Sequence, residues 1–366
     1  MTCESTQAAA LESDAMRLGL NLGYWGSGGA AATQADDQVA LAQAADQLGF
    51  AVVWAAEAYG SDAVTVLTWL AAKTQSVDVG SAVLQIPGRS PAMTAMTAAT
   101  LDQLSGGRFR LGLGVSGPQV SEGWHGVRFD KPLQRTREYV DVVRLALERK
   151  VVRYEGAYVR LPLPDGPGKP LRLAFQPRRT SIPIYLAALG PRNLELTGEI
   201  ADGWLGMFFS PQDSNEPLDR LRAGRAKVGK DLSDFDIAVT VPMVVGDDLE
   251  KCAGPIRSYA ALYVGGMGSQ RQNFYKAHME RMGYAQPAQE IQDAYLARDY
   301  DGAAAAVPFE FIDRTSLLGP PARIAERMAA FADAGATTLS LSLFDSTVSQ
   351  QVQTLETAAA ALTNSP

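Results

Sequence analysis

Short apolar runs, several preceded by a helix-like stretch and a glycine, limit the fold of this chain more than any other feature. Four stretches share this plan, at residues 44–57, 100–114, 197–209 and 331–344. In each, the glycine stands where a helix needs a left-handed residue to end before the next strand begins. Repeated units of this kind predict parallel strands that are joined by right-handed crossovers.

Eight apolar runs occur in all, and most are near-continuously apolar, as is typical of strands covered on both faces. We place them at residues 16–22, 51–56, 77–83, 109–115, 184–188, 203–209, 237–245 and 338–344. Eight parallel strands in a chain of 366 residues favour an α/β fold of the closed (β/α)8 TIM-barrel type. A doubly wound open sheet is the alternative. We expect one barrel domain over residues 16–366 after a disordered tail at 1–15.

Two connections are too long to be simple loops, and we predict them to be insertions at about 116–182 and 247–319. The first contains a helix-like segment and then VVRYEGAYVRLP, which alternates around Glu155-Gly156 like a hairpin. The second contains the segment YVGGMGS and a helix start at Pro320-Pro321. Because long insertions on barrels are usually functional, we expect both at the carboxyl ends of the strands.

The charge and the cysteine content exclude several classes of partner. A formal net charge of −7 repels nucleic acid and anionic membranes, and no apolar run reaches membrane-spanning length. Cys3 and Cys252 are too few and too far apart for a disulfide framework or a metal cluster, which favours a reduced, cytoplasmic setting. Neither His125 nor His278 has a carboxylate at metal-ligand spacing, so we predict no metal. We expect His278 to be solvated and His125 to reach the barrel mouth.

Three consecutive small residues interrupt the third apolar run, where a buried strand normally carries bulk. They are Gly80, Ser81 and Ala82. Small residues at such a place let another group approach the backbone closely. The group is either a helix packed tightly against the strand or a flat cofactor ring, and the neighbouring motifs favour the ring.

The motif GLGVSG at 112–117 matches the pattern of a dinucleotide-binding turn, but no apolar period follows it to form the required helix. We therefore predict a strand that ends at Val115, with Ser116 and Gly117 open to a ligand. Glu57 follows the second strand, at the rim where barrel enzymes keep their chemistry. A helix cap or an ion-pair partner is the alternative for this carboxylate.

Two further loops and a group of aromatic residues complete the candidate site. The segment AALGPRN at 187–193 predicts an anion site at a helix start with Arg192, or else a plain turn. The segment YVGGMGS is either a loop that wraps a ligand or a flexible turn. Aromatic residues near strand ends line an apolar pocket or pack in the core. The candidates for a substrate pocket are Trp25, Tyr59, Trp124 and Tyr263.

Eight stretches together carry a family resemblance. They are LGLNLGYWG at 18–26, AEAYGSDA at 56–63, GSAVLQIPGRSP at 80–91, LDQLSGGRFRLGLGVSGPQVSEGWHG at 101–126, PLQRTREYVDVVR at 132–144, AALGPRN at 187–193, ADGWLGMFFSP at 201–211 and ALYVGGMG at 261–268. They resemble the bacterial luciferase-like monooxygenase superfamily, most closely its branch that uses the deazaflavin coenzyme F420. The resemblance covers nearly the whole chain after the N-terminal tail. It implies a (β/α)8 barrel and a flavin-type ring backed by a bulge in strand three, with a cis peptide at Ala82-Val83.

The resemblance also implies which residues hold the cofactor. The ring would contact Glu57, Ser81, Ala82, Val83 and Gln85, and Val115, Ser116, Gly117 and Gln119 would border the ring and its ribityl chain. The phosphate would lie at Leu189, Gly190, Pro191, Arg192 and Asn193 and at Met207, Phe208 and Ser210. The oligoglutamate tail would run toward Arg178, Arg179 or Arg271.

One departure from the family bears on the reaction. The sugar-phosphate and alcohol dehydrogenases of this branch have a histidine directly after the acidic residue of strand two, and here that residue is Ala58. The resemblance therefore favours hydride transfer that reduces a C=C, C=N or C=O group of a small organic substrate. Candidate proton donors are Glu57, Glu122, Tyr24 and His125, with Glu57 first.

Two other functions stay open at this point. One is a monooxygenase on the same fold that uses flavin mononucleotide (FMN), and the other is a barrel that only carries or senses the cofactor. Members of the family are commonly dimers, which implies a homodimer.

Overall fold

The computed structural model describes residues 16–24, 35–270 and 272–363, with the backbone alone at Tyr24 and Ala35. The predicted tail at 1–15, Trp25 and Arg271 lie outside the described residues. The strands are β1 (Arg17–Tyr24), β2 (Val52–Ala56), β3 (Asp78–Ser81), β4 (Leu84–Gln85), β5 (Phe109–Gly114), β6 (Tyr154–Glu155), β7 (Arg160–Leu161), β8 (Ile184–Ala187), β9 (Gly203–Met207), β10 (Asp236–Val245), β11 (Leu317–Gly319) and β12 (Thr338–Leu343). The helices are α1 (Ala35–Gln47), α2 (Ala63–Lys73), α3 (Pro91–Leu104), α4 (Pro118–Gly123), α5 (Pro132–Leu147), α6 (Pro191–Ile200), α7 (Asn215–Lys227), α8 (Leu249–Ala261), α9 (Phe274–Arg281), α10 (Ala285–Leu296), α11 (Tyr300–Ala305), α12 (Phe309–Thr315), α13 (Pro321–Asp333) and α14 (Val348–Thr363).

Parallel pairing closes the sheet into a barrel. The neighbours run β1, β2, β3, β5, β8, β9, β10 and β12, and β12 pairs back to β1 with Leu20 opposite Leu341. Each of the eight predicted apolar runs overlaps one of these strands. The barrel prediction is confirmed, and the pairing of β12 with β1 excludes an open sheet.

Helices cover the outer face of the barrel because their apolar residues recur at helical spacing. In α13, Ile324, Met328 and Phe331 are fully buried at intervals of four and three residues, which is the spacing of one helix face. They pack in the main core with outward strand residues such as Val239 and Leu339. The helix begins at Pro321, as predicted from the proline pair.

A charge cluster fills the inside of the barrel at the amino ends of the strands. Arg110 is 8% exposed and forms ion pairs with Asp78 at 2.7 Å and with Asp236 at 3.1 Å. Asp236 also pairs with Arg17 at 2.9 Å and accepts a hydrogen bond from the Tyr185 hydroxyl at 2.8 Å. The two arginines and two aspartates balance, and each charge is hydrogen-bonded, as burial of ions requires. This cluster closes the end of the barrel that is opposite to the candidate site.

The first long connection contains α4, α5 and the predicted hairpin, which is formed by β6 and β7 with Tyr154 opposite Leu161. Its tip is at residues 156–159, so Glu155 lies in the strand β6 and not at the centre of the turn. Glu138 of α5 fixes the hairpin tip, because its carboxylate accepts hydrogen bonds from the N–H groups of Ala157, Tyr158 and Val159 at 2.7–2.9 Å. Burial opposes ionisation of Glu138, but these hydrogen bonds hold its pKa below the usual value.

The second long connection, between β10 and β11, contains α8 to α12 and has a hydrophobic core of its own. Val264, Met279, Ile291 and Phe311 are fully buried in this second core. None of the helices within the described ranges has the length and apolarity needed to span a bilayer.

Candidate active site

A bulge deforms the third barrel strand at its carboxyl end. Gly80 of β3 pairs with Arg110 of β5, and pairing resumes at Leu84 and Leu113, so four steps along one strand match three along the other. The extra residue is the mark of a β-bulge, and bulges occur often next to active sites. The peptide bond between Ala82 and Val83 is cis, as the resemblance implies.

Ser81 completes the hydrogen bonding of β5 across this bulge. Leu111 donates its N–H to Pro183 on the β8 side, so the next residue, Gly112, turns its N–H and C=O toward the bulge. The Ser81 hydroxyl accepts from the Gly112 N–H at 2.9 Å and donates to the Gly112 carbonyl at 2.8 Å. Its side chain is fully buried, which corrects the prediction that Ser81 contacts the ring.

Gly80 makes room for an indole ring. A Cβ at this position would lie 2.3 Å from two ring atoms of Trp54, which stands opposite Gly80 on β2 and is 1% exposed inside the barrel. Trp54 is fixed there by a hydrogen bond from Nε1 to the Ser340 hydroxyl at 3.0 Å. Neither a helix nor a cofactor therefore accounts for Gly80, and both interpretations are wrong at this residue.

Above Trp54, the inward positions of neighbouring strands carry only small side chains. Trp54, Gly80, Gly112 and Tyr185 occupy inner positions of four neighbouring strands. The residue two positions after each of them is again on the inner side, and these residues are Ala56, Ala82, Gly114 and Ala187. The rings of Trp54 and Tyr185 meet inside the barrel with their centroids 5.4 Å apart, and Ala82 packs against this pair. Ala82 and Ala187 stay partly exposed although they belong to, or directly adjoin, barrel strands. We infer from these small, partly exposed side chains that the barrel mouth has a recess against the bulge.

Val83 forms the wall of this recess. A Cβ at Gly114 would lie 2.5 Å from the Val83 Cγ2 atom, so the glycine provides the space that the Val83 side chain occupies. A flat ring fits a hollow of this kind, because its floor and wall are small or apolar side chains and its back is a deformed backbone segment.

Glu57 lies at the rim beside the bulge and accepts hydrogen bonds from three neighbours. Its carboxylate accepts hydrogen bonds from the backbone N–H groups of Gln85 at 3.1 Å and Ala63 at 3.3 Å, and from the guanidinium of Arg89 at 3.3 Å. Burial lowers the pKa of Arg89, but Glu57 and Asp62 raise it above the usual value. Both oxygens of the Glu57 carboxylate already have partners within the rim, which argues against Glu57 as the first candidate for contact with a substrate.

Gln85 joins three segments of the rim. Its Nε2 atom donates to the Ala58 carbonyl at 2.6 Å, and its Oε1 atom accepts from the Ser116 hydroxyl at 3.0 Å.

Ser116 has a left-handed backbone with φ of 60°. The strand β5 ends at Gly114, one residue earlier than predicted, and α4 begins at Pro118 after Gly117, although we expected no helix there. Gln119 is exposed on this short helix.

The structure separates the other candidate proton donors. Glu122 is exposed and accepts from the Phe129 N–H at 3.0 Å, and the side chain of Tyr24 lies outside the described residues. His125 packs over Gly88, where a Cβ would lie 3.1 Å from its Cε1 atom. The Nε2 atom of His125 is buried and has no hydrogen-bond partner among the described residues.

The loop after β8 forms the predicted helix start. α6 begins at Pro191, and no side chain caps its N-terminus at Gly190. Arg192 is exposed, whereas the Asn193 Nδ2 atom donates to the Ala187 carbonyl at 3.4 Å. The N–H groups of Asn193 and Leu194 already donate to the Gly190 carbonyl at 3.0 and 2.9 Å. The exposed guanidinium of Arg192 is therefore the group at this helix start that suits an anion.

Helix α9 of the second insertion covers this loop and the end of β9. Arg281 donates to the Leu189 carbonyl at 2.7 Å, and the Nε2 atom of His278 lies 3.2 Å from the Phe208 carbonyl. Burial lowers the pKa of His278 to about 4. The prediction that His278 is solvated is therefore wrong.

Three predicted site residues at the end of β9 differ in exposure. Met207 is partly exposed toward the mouth, but Phe208 is 2% exposed and packs in the second core. The Ser210 hydroxyl is buried and donates to Gln212 at 3.0 Å or Asp213 at 2.8 Å. Neither the ring of Phe208 nor the hydroxyl of Ser210 is open to a phosphate, which corrects both predictions for the side chains.

The aromatic candidates do not form one pocket. Tyr59 and Trp124 are 60% and 68% exposed on the rim. The ring of Tyr263 packs against Phe208 at 6.1 Å and Tyr275 at 4.8 Å, at the edge of the second core. The prediction that these residues line a substrate pocket is therefore not supported by their positions.

The glycines of YVGGMGS are packing residues. Residues Leu262–Gly266 form a π-helical turn that continues α8. A Cβ at Gly265 or Gly266 would lie 2.4 or 2.5 Å from the Tyr295 side chain of α10. Neither a ligand-wrapping loop nor a flexible turn describes this segment.

Arg178 and Arg179 lie at the wrong end of the barrel for a cofactor tail. Arg179 forms an ion pair with the fully buried Asp102 and also hydrogen-bonds the Phe109 carbonyl, at the amino end of β5. Arg178 packs near Gly107 in the same region.

Arg89 and Arg281 are the arginines near the mouth that sequence reasoning missed. The position of Arg89 just before the start of α3 was the available signal.

No cluster of three or more metal-ligating side chains occurs in the part of the chain that the structure describes. The described residues form a (β/α)8 barrel with a bulged third strand, small side chains at the mouth beside the bulge and two long insertions.

Comparison with known proteins identifies the family. The family model for luciferase-like monooxygenases matches residues 16–338, and the chain belongs to this family. A protein of Mycobacterium tuberculosis named as a coenzyme F420-dependent oxidoreductase, Rv3520c, is 43% identical over 88% of this chain and 93% of its own length. A 5,10-methylenetetrahydromethanopterin reductase of Archaeoglobus fulgidus is 33% identical over 80% of this chain and 85% of its own. The predicted family is confirmed.

Solved structures agree with the fold. The coenzyme F420-dependent tetrahydromethanopterin reductase of Methanopyrus kandleri superposes with a TM-score of 0.78 at 25% identity, over 94% of this chain and 97% of that chain. An F420-dependent secondary alcohol dehydrogenase superposes with a TM-score of 0.77 at 19% identity, over 95% of this chain and 99% of that chain.

Proposed function

We propose that this protein is an oxidoreductase that uses coenzyme F420 to reduce a C=C, C=N or C=O group of a small organic substrate. The inferred recess against the bulge at Ala82–Val83 carries the proposal, because small and apolar side chains line it at the end of the barrel where chemistry is placed. Two sequence relatives named for F420 or for a reductase support the cofactor class.

The residues present fit a ring with an anionic arm. Ala82, Val83 and Gln85 would border the ring, and the start of α6 at Gly190 to Asn193 would receive the phosphate. The bulge on β4 and the start of α6 after β8 are two strand spacings apart, which is roughly 10 Å. Bound F420 supplies a hydride donor or acceptor at one carbon of its ring.

The chain itself would orient the substrate and deliver a proton. We assign proton delivery to His125, because its Nε2 atom is buried near the mouth and has no partner among the described residues. An imidazole can donate a proton from either ring nitrogen. Glu57 would keep the rim in place through the backbone of Gln85 and the guanidinium of Arg89.

The methyl side chain of Ala58 supports reduction over alcohol oxidation, since it cannot take a proton from a hydroxyl. Ala58 contributes its backbone carbonyl, which accepts a hydrogen bond from the side chain of Gln85. We keep a homodimer and a cytoplasmic location as proposals from the sequence. Light scattering during gel filtration tests the dimer.

Titration of the purified protein with F420 and with FMN tests the cofactor. We expect saturable binding of F420 and oxidation of its reduced form by an activated alkene, an imine or a ketone. Tight FMN binding without F420 affinity would favour the monooxygenase instead. Oxidation of secondary alcohols in preference to these reductions would contradict the proposed direction of hydride transfer. Binding of F420 without any turnover would instead favour a protein that only carries or senses the cofactor.

A further inference from the structure

A second cavity lies beside the barrel mouth, between the amino-terminal ends of α3 and α5. Its volume is about 340 Å³, within the range of small-molecule pockets. The turn at Ile86–Gly88 forms one wall and the hairpin tip at Tyr158 and Val159 forms another. Val115 is the one lining residue that the cofactor prediction also names, so the cavity adjoins the recess but is largely distinct from it.

The walls of this cavity are held in place. Three backbone hydrogen bonds to Glu138 fix the hairpin tip that carries Tyr158. The guanidinium of Arg135 lies 4.2 Å from the centroid of the Tyr158 ring and is itself paired with Asp130 at 2.6 Å. The Tyr139 hydroxyl lies 2.5 Å from the hydroxyl of Thr94 in a hydrogen bond. A ligand would therefore meet preformed aromatic surfaces.

The charges of the lining residues are not balanced. Arg89, Arg128 and Arg135 face a single lining carboxylate, Asp130. Arg89 is paired with the rim carboxylates and Arg135 with Asp130, whereas the nearest paired carboxylate of Arg128, that of Glu122, is 3.8 Å away. Arg128 is also 79% exposed at this edge, so its charge is the one most open to a ligand.

We propose that this cavity is a binding site for an aromatic anion, separate from the cofactor recess. The planar part of the ligand would lie between the rings of Phe129, Tyr139 and Tyr158, which together with the neighbouring prolines provide apolar contact. A carboxylate, sulfonate or phosphate on the ligand would pair with Arg128. Aromatic walls and one open guanidinium select this combination over a neutral or a cationic molecule.

Anilinonaphthalene sulfonate is a suitable probe, because it joins an aromatic body to one anionic group and becomes fluorescent when bound. Phenylnaphthylamine is its neutral counterpart. Val159→Trp fills the cavity from the hairpin tip, and Val151→Trp is the matched control in the same segment outside the lining residues. Arg128→Gln removes the open charge, and Arg153→Gln is its control.

We expect the sulfonate to bind with one-to-one stoichiometry. Val159→Trp should raise its Kd at least about tenfold, because the added indole occupies the space, and Val151→Trp should leave it within about twofold. Arg128→Gln should raise the Kd of the sulfonate by about threefold to tenfold without changing that of the neutral probe. Thermal midpoints of all four variants identify any that fail to fold, and a sulfonate soak of wild-type crystals then locates the probe directly.

Four results would overturn the proposal. Three of them are an unchanged Kd in folded Val159→Trp, an equal effect of Arg128→Gln on both probes, and a probe located outside the cavity. The fourth is competitive displacement of the sulfonate by F420, because the cavity would then belong to the cofactor site. If F420 does not bind at all, the cofactor proposal fails while sulfonate binding still tests the cavity.

Discussion

The substitution Ser81→Ala tests whether one hydroxyl maintains the bulge. It removes the partner of both the N–H and the C=O of Gly112, in a site where Ser81 is fully buried. Leaving a buried polar group without a partner costs about 1–3 kcal/mol. Two such groups give a loss of about 2–6 kcal/mol in the free energy of unfolding. With an unfolding entropy of about 2.1 cal/mol/K per residue over 366 residues, the melting midpoint should fall by roughly 3–8 °C.

Ser316→Ala is the matched control. Ser316 is also fully buried, but its hydroxyl has no hydrogen-bond partner among the described residues. Its removal should be neutral or slightly stabilising, because an unpaired buried hydroxyl is itself unfavourable. Urea unfolding followed by circular dichroism, with calorimetry for the midpoints, measures both variants. A free energy of unfolding for Ser81→Ala within about 0.5 kcal/mol of the wild type, or an equal loss in both variants, would show that the Ser81 hydroxyl does not maintain the bulge.

Three other predictions concern the mouth, the acid stability and the barrel interior. His125→Asn should lower kcat for reduction by about a hundredfold with an unchanged Kd for F420, and an unchanged kcat in stopped-flow assays would exclude His125 as the proton donor. Burial opposes ionisation of Asp46, but hydrogen bonds from Ser76 and its neighbours lower its pKa to about 2. Because the folded pKa lies below the unfolded value of about 3.9, the stabilisation by Asp46 is complete above roughly pH 4 and is lost as the pH falls toward 2. In Asp46→Asn, the free energy of unfolding measured with urea should therefore vary less with pH in that window. Gly80→Ala should cost about 1–3 kcal/mol because the new Cβ meets the Trp54 ring. The double variant with Trp54→Leu should lose less stability than the sum of the two single losses, and strictly additive losses in urea unfolding would contradict this contact.

The barrel could be predicted from the sequence because its signal is local. In four of the eight runs the apolar residues and the preceding glycine lie within about fifteen residues, and the structure has a barrel strand in every run. The cis peptide and the bulge came from the family resemblance, since nothing in the residues 80–83 themselves specifies a cis bond.

The role of Gly80 could not be predicted, because it depends on strand register. Trp54 is 26 positions earlier in the chain, and only the pairing of β2 with β3 places its ring against Gly80. The same limit applies to Gly265 and Gly266, whose contact with Tyr295 needs the packing of α10.

The end of the barrel at which Arg179 lies could have been predicted. Residues shortly before a strand lie at its amino end, and Arg179 precedes β8 by five residues. In a parallel barrel that end is opposite to the carboxyl ends, where the ligand loops gather.

The ring contact of Phe129 with Phe274, at 6.3 Å between centroids, joins the two insertions to each other. Helix α9 also bonds to Leu189 and Phe208, so the joined segments form an arch above the ends of β8 and β9. Exchange of either insertion alone for that of a relative would remove one side of the contact between Phe129 and Phe274. Chimaeras that aim to change specificity should therefore transplant both insertions together.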